Sequence, residues 1–226
     1  MELTYFGHAC FSVRVNGKNL LFDPFILNNP LAGSVDISKV KADHIFVSHG
    51  HGDHIQDCVA LAKQTGADVT GGFEVVEWLA EQGVKKIIPM NTGGKKSFEF
   101  GTVKCVNAIH SSKLPDGSDG GNPIGFLIMS SEGNFYYSGD TALTMDMQLI
   151  PEWAPLQFAI LPIGDHFTMD AADAARAAEM VKCKTVVGVH YDTFEPIRIN
   201  KKEAETIFQE KGIKLLLPAI GETINI

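Results

Sequence analysis

The chain has 226 residues, 45% of them hydrophobic, and a formal net charge of −8. This is enough apolar material for a sizeable core, at a length that suits one large domain or two small ones. The acidic balance, without a run of lysine or arginine, weighs against nucleic acid as partner. No apolar run reaches the roughly 18 residues that a membrane span needs.

Residues 2–15 and 18–23 read as two strands joined by a turn at Asn16-Gly17, a strong hairpin signal. No charged, apolar and cleavable leader precedes them, which predicts a cytoplasmic protein. "HIFVSH" (44–49) is a short apolar run ending in polar residues, the mark of a buried strand. "HIQDCVALAKQTG" (54–66) carries apolar residues at helical spacing and a glycine stop. "ADVTG", "FEVVEWLAEQG" (73–83) and "VKKIIPM" (84–90) continue as strand, helix and strand, an alternation that predicts parallel pairing.

Residues 96–110 then predict two strands about Gly101, and 123–140 a hairpin turning near Glu132-Gly133-Asn134. "FAILPIG" (158–164) is a strand, 169–183 an alanine-rich helix with acidic residues in its first turn, and "KTVVGVH" (184–190) a strand. Residues 200–212 form a helix, and "IKLLLP" and "ETINI" close the chain. No linker or low-complexity segment interrupts it, so residues 1–226 read as one domain of mixed sheets with outer helices. The four cysteines (10, 58, 105 and 183) are scattered and predict buried, reduced thiols.

The chemistry lies where strands end. "VSHGHGDH" puts His49, His51, Asp53 and His54 in six residues, just after an apolar strand. His110, Asp140 and His190 each close another apolar strand. Strand ends in α/β sheets line one edge, where sites are built. Residues two apart in an extended segment share a face, so the rings of His49 and His51 point the same way. Gly50 and Gly52 are expected to turn the backbone tightly through positive φ. Five imidazoles and two carboxylates exceed the four ligands of a tetrahedral zinc and suit two ions sharing a carboxylate. A single structural zinc is the simpler alternative, although such sites favour cysteine sulfur. His44 reads as an ordinary strand-start residue, and Tyr191 and Asp192 as acceptors for the spare N–H of His190. The glycine-rich segment 115–125 reads as a turn between sheets, or else as a flexible wall over the site, and Lys113 just before it as a solvated lysine or a contact for a substrate anion. His166, in a glycine-bounded segment, is a weaker candidate for facing the site.

"SHGHGDH" followed by His110, Asp140 and His190 resembles the metallo-β-lactamase superfamily. The resemblance covers nearly the whole chain. It implies an α+β, four-layer αβ/βα sandwich, two mixed sheets with outer helices, and a site at one edge. By matching position it implies that His49, His51 and His110 hold one ion and Asp53, His54 and His190 a second, with Asp140 bridging. "LTYFGHACF", "GNPIGF" (121–126), "FTM" (167–169) and "GVHYDTF" (188–194) are similar to a branch of small bacterial and archaeal metal-dependent hydrolases, themselves similar to ascorbate-6-phosphate lactonases.

The implied activity is hydrolysis of a small ester-, lactone- or phosphoester-type substrate by a hydroxide shared between two divalent ions. Zinc is the first choice of metal, and manganese, iron or nickel are also suited to imidazole ligands. Asp53 doubles as proton acceptor. With the seven ligand positions filled, His8 in "YFGHACF" is expected beside the site as a catalytic or supporting group rather than a ligand. Its neutral ring is suited to hydrogen-bond a substrate or shuttle a proton. A nuclease or phosphodiesterase acting on nucleic acid is the main rival, disfavoured by the acidity. A non-catalytic metal-binding protein is disfavoured by the complete ligand set. Redox chemistry is disfavoured by His51, where the flavin-linked oxygen reductases of the superfamily carry glutamate.

Overall fold

The computed structural model describes residues 1–226. Its first sheet begins with β1 (Glu2–Gly7), β2 (Cys10–Val15) and β3 (Lys18–Phe22), paired antiparallel in sequence order. The predicted strand over 2–15 is thus two strands. Apolar-polar alternation runs unbroken through "TYFGHACFS", but the pairing slips between Tyr5 and Gly7, and Gly7 (φ 105°) and His8 (φ 55°) turn the chain back. A Cβ at position 7 would lie 2.7 Å from Asn29 Nδ2, so only glycine allows this close approach.

Next, β4 (His44–Val47), β5 (Asp68–Gly72) and β6 (Ile87–Met90) add in parallel, as the alternation of strand and helix predicts. The predicted helix over 54–66 is two pieces, α1 (Gly52–Ile55) and α2 (Cys58–Thr65). The break has a cause: the buried Asp57 carboxylate accepts the Ile26 and Leu27 amides at 2.5 and 2.9 Å. Helix α3 (Phe73–Glu81) follows β5 directly.

The second sheet contains β7 (Lys95–Phe98), β8 (Gly101–Asn107), β9 (Ile124–Ser130) and β10 (Gly133–Tyr137) in antiparallel succession. After the short helix α4 (Ile150–Trp153) come β11 (Phe158–Pro162), α5 (Ala171–Met180), β12 (Thr185–Val189), α6 (Lys201–Glu210) and β13 (Lys214–Leu216), with these strands parallel. The last strand, β14 (Thr223–Asn225), returns to the first sheet and pairs with β1. Each sheet has seven strands, ordered β14-β1-β2-β3-β4-β5-β6 and β13-β12-β11-β10-β9-β8-β7.

The sheets bury their inner faces against each other through an aromatic stack. Phe11 lies on Phe22 (centroids 4.7 Å apart), Phe22 on Phe46 (5.0 Å), and Phe135 on Phe158 (4.9 Å). Truncating one such ring to alanine costs about 3–5 kcal/mol, transfer plus cavity. The outer face of the first sheet packs under α2 and α3 through Leu61, Val75, Val76 and Leu79. The outer face of the second packs under α5, whose Ala174, Ala175, Ala177 and Ala178 bring helix and sheet close, and under Phe208 of α6. The result is the expected αβ/βα sandwich. All four cysteines are free and buried. No helix is long and apolar enough to cross a membrane.

Candidate metal centre

Strands β3, β4, β8, β10 and β12 run the same way, so Asp23, His49, His110, Asp140 and His190 arrive at one end of the sandwich. Ring nitrogens of His49, His51 and His110 lie within 4.8 Å of one another. A second group, His8, Asp53, His54 and His190, meets the same limit. Asp140 is buried between them. Its Oδ2 lies 2.9 Å from His190 Nε2, 3.3 Å from His54 Nε2 and 3.7 Å from His110 Nε2. All seven residues singled out as ligands therefore converge.

The backbone is bent to place them. His8, Asp23 and His190 all have left-handed φ, at 55°, 41° and 57°, an uncommon conformation away from glycine. Gly50 and Gly52, expected to supply positive φ, do not have it. Gly50 serves close packing instead: a Cβ there would meet Leu114 Cδ2 at 2.9 Å. Segment 111–120 folds onto the ligand string, with Gly50 N donating to Ser112 Oγ (3.0 Å) and Trp78 Nε1 to Asp116 Oδ2 (2.7 Å). It is an anchored turn rather than a flexible wall, and Lys113 on it is exposed. His166 is exposed beside Phe167 and joins neither group.

Beneath the ligands lies Asp23, which the sequence reading overlooked. Its carboxylate accepts from Ser48 N (2.7 Å), Ser48 Oγ (2.6 Å), Tyr137 Oη (2.5 Å) and His54 Nδ1 (2.9 Å). The Ser48 hydroxyl proton is thereby committed, so its oxygen accepts from His49 Nδ1 at 2.9 Å. Both imidazoles thus use Nδ1–H as donor and present a bare Nε2 to the cluster. Those two Nε2 atoms are buried and have no hydrogen-bond partner. Buried acceptors facing other acceptors are unfavourable unless a cation stands between them. The residues present fit a metal centre of imidazole and carboxylate donors, with the outer hydrogen bonds that fix ligand tautomers. His190 differs. Its Nδ1 is unpartnered, and Tyr191 and Asp192 do not serve it: Asp192 binds Ile199 N and Lys201 instead.

Electrostatics follow from burial and crowding. Burial, then the neighbouring His54, pushes His49 well below the ordinary imidazole range, and burial lowers His51 and His110. His54 goes the other way: burial lowers it, but Asp140, Asp23 and Asp53 together raise it well above, so that a proton and a cation compete for the same Nε2. Burial raises Asp53 and Asp140, and the adjacent imidazoles more than reverse this, leaving both carboxyls low.

His8 is buried, with Nε2 3.0 Å from Asp53 Oδ2 and Nδ1 3.0 Å from Thr193 Oγ1. Its carbonyl accepts from Tyr5 Oη (3.0 Å) and from the His190 amide (2.8 Å). Burial and His190 bring its pKa down to about 4. Thr193 was not singled out from sequence; nothing local in "HYDTF" marks it.

An H-x-H-x-D-H string and three strand-end partners, gathered at the strand ends of two facing seven-stranded sheets, define a protein of the metallo-β-lactamase superfamily. A family model described as a beta-lactamase superfamily domain matches residues 18–191. The chain is 48% identical to a UPF0173 metal-dependent hydrolase of Flavobacterium johnsoniae, covering 100% of both chains, and 46% identical to one of Methylacidiphilum infernorum, covering 99% of each. Among solved structures, the metallo hydrolase Igni18 of Ignicoccus hospitalis superposes with a TM-score of 0.90 at 34% identity, over 99% of this chain and 97% of that one. The chain belongs to the UPF0173 metal-dependent hydrolase family.

Proposed function

We propose that the protein is a dinuclear hydrolase acting on a small ester, lactone or phosphoester. The observation carrying this reading is the pair of buried, bare Nε2 atoms on His49 and His54, directed into a cluster of further imidazoles and carboxylates. His49, His51 and His110 would hold one ion, and Asp53, His54 and His190 the other. Asp140, whose Oδ2 is close to His54, His190 and His110, would serve both. Zinc suits such donors, as do manganese, iron and nickel. When bound, the ions supply Lewis acidity and make water acidic enough to ionise near neutral pH.

The chain's own groups do the rest. Asp53 would take the proton that water gives up. His8 donates from Nε2 to Asp53 Oδ2 and, held by Thr193 at Nδ1, keeps the carboxylate oriented. The Asp23–Ser48 pair holds the tautomers of His54 and His49. Elemental analysis of gently purified, replenished protein is expected to approach two metals per chain. A panel of lactones, esters, thioesters and phosphodiesters then identifies the class cleaved. One tetrahedral ion that replenishment does not change, or no turnover across the panel, overturns the reading.

A further inference from the structure

The large apolar side chains left exposed are unevenly placed. Six of the nine, Leu27, Leu31, Ile109, Met145, Phe167 and Phe194, lie in connections that leave the strand ends around the candidate metal centre, while Phe73 opens α3, Leu149 precedes α4 and Trp153 ends it. The opposite end carries charged groups, among them Lys18, Asp43, Lys86 and Glu99, and none of these apolar residues.

Two aromatic rings touch His8, the supporting group beside the candidate ligands. The Phe194 ring meets the His8 ring edge-on at 5.4 Å, and Phe25 meets it at 5.6 Å from the loop after β3. The two phenyl rings are 6.4 Å apart. Leu27, 63% exposed, is not loosely held: its amide and that of Ile26 are fixed by the buried Asp57 carboxylate. Ile109, half exposed and next to His110, donates its amide to Thr141 Oγ1 (2.9 Å) and accepts from Ala142 N (3.1 Å). Exposed apolar groups on an anchored backbone, continuous with a polar cluster, are the composition of a small-molecule site: a few convergent polar atoms and an apolar lining.

Resting on the hydrolase reading above, we propose that the substrate carries an alkyl or aryl group on its scissile centre, seated against the exposed Phe194 ring, which the buried Phe25 backs, beside His8. The probe is a series of straight-chain hydroxamates, acetyl to octanoyl, binding to zinc-replenished protein and measured by calorimetry. A hydroxamate head chelates metal whether or not the protein turns anything over.

Affinity is expected to rise roughly two- to threefold per added methylene, somewhat less than full burial of each would give. Phe194→Ser should flatten that rise at unchanged metal content, and Phe194→Leu should keep most of it. A flat wild-type series, or a rise that Phe194→Ser leaves intact, overturns the proposal. So does sedimentation showing that Phe194→Ser dissociates an oligomer, since a second copy would then cover the wall. A chain-length rise without hydrolysis of any substrate class sinks the proposed activity and leaves the wall standing; turnover with a flat series does the reverse.

Discussion

The two ends of the sandwich are built on different terms. At the site end, His8, Asp23, Asp165, His166, His190 and Asp192 all have left-handed φ, and five imidazoles crowd around buried carboxylates. At the other end, the only comparable residues are Asn16 in a hairpin turn and Lys182 after a helix, both ordinary places for such backbone. There, charged groups pair across the surface. His44, buried at the start of β4, reaches Glu99 of the other sheet at 3.0 Å, and Lys18 joins Glu99 at 3.4 Å. Left-handed backbone outside ordinary turns, and several unpartnered ring nitrogens facing one another, are collected at the site end, whereas the opposite end has a single such nitrogen, His44 Nδ1; the clustering is a feature kept for chemistry rather than for stability.

The sharpest break in that contrast is Asp140→Asn. An amide cannot offer anionic oxygen to two cations, so turnover should fall by roughly 10³-fold or more, with the fold retained and metal content lowered. Near-normal rate and stoichiometry would remove Asp140 from its bridging place. Asp23→Asn comes next, because a buried amide cannot accept from Ser48 N, Ser48 Oγ, Tyr137 and His54 together. Metal affinity should drop about 10–100-fold, and stability by about 3 kcal/mol from stranded donors. Metal titration and chemical denaturation measure the two effects separately.

His8→Ala tests whether the ring supports Asp53 or binds metal. Both ions and the folded state should persist while turnover falls about 10²-fold. Loss of metal would make His8 a ligand, and unchanged turnover would return it to the core. At the opposite end, Glu99→Gln should leave turnover alone. The His44 hydrogen bond depresses the Glu99 carboxyl to about 2. A depressed acid contributes stability above its unfolded value, near 4.3, and loses it as pH falls through 2. Because Glu99 is half exposed, the difference should stay below about 0.5 kcal/mol, and it should vanish at the acid limit. A larger effect, or one that grows in acid, would show that this end also carries hidden strain.

Much of this was legible in the sequence because one local signature recurs: an apolar run closed by a metal-competent residue. It located His49, His110, Asp140 and His190, and the parallel pairing that brings His49 to its edge. "LLFDP" has the same signature, yet Asp23 was passed over because its role is to accept from ligands rather than to be one. The turn at His8 was hidden because alternation continues through it. The break before α2 was hidden because its cause, Asp57 binding the Ile26 and Leu27 amides, is a contact between residues some 30 positions apart. Thr193 acts on a ring 185 positions away, and no local pattern records such a pairing.

The proposed ligands come from both sheets, with His49, His51, Asp53 and His54 on the first and His110, Asp140 and His190 on the second. An ion held among them ties the halves of the sandwich together without any covalent link. The protein's resistance to unfolding thereby becomes a gauge of free metal. Occupancy at a thousandfold excess over the dissociation constant adds about 4 kcal/mol, or about 10 °C in a chain of this length. Calorimetric scans in buffers of graded zinc activity should trace that climb, and a melting point indifferent to chelator would mean the two halves hold together without it.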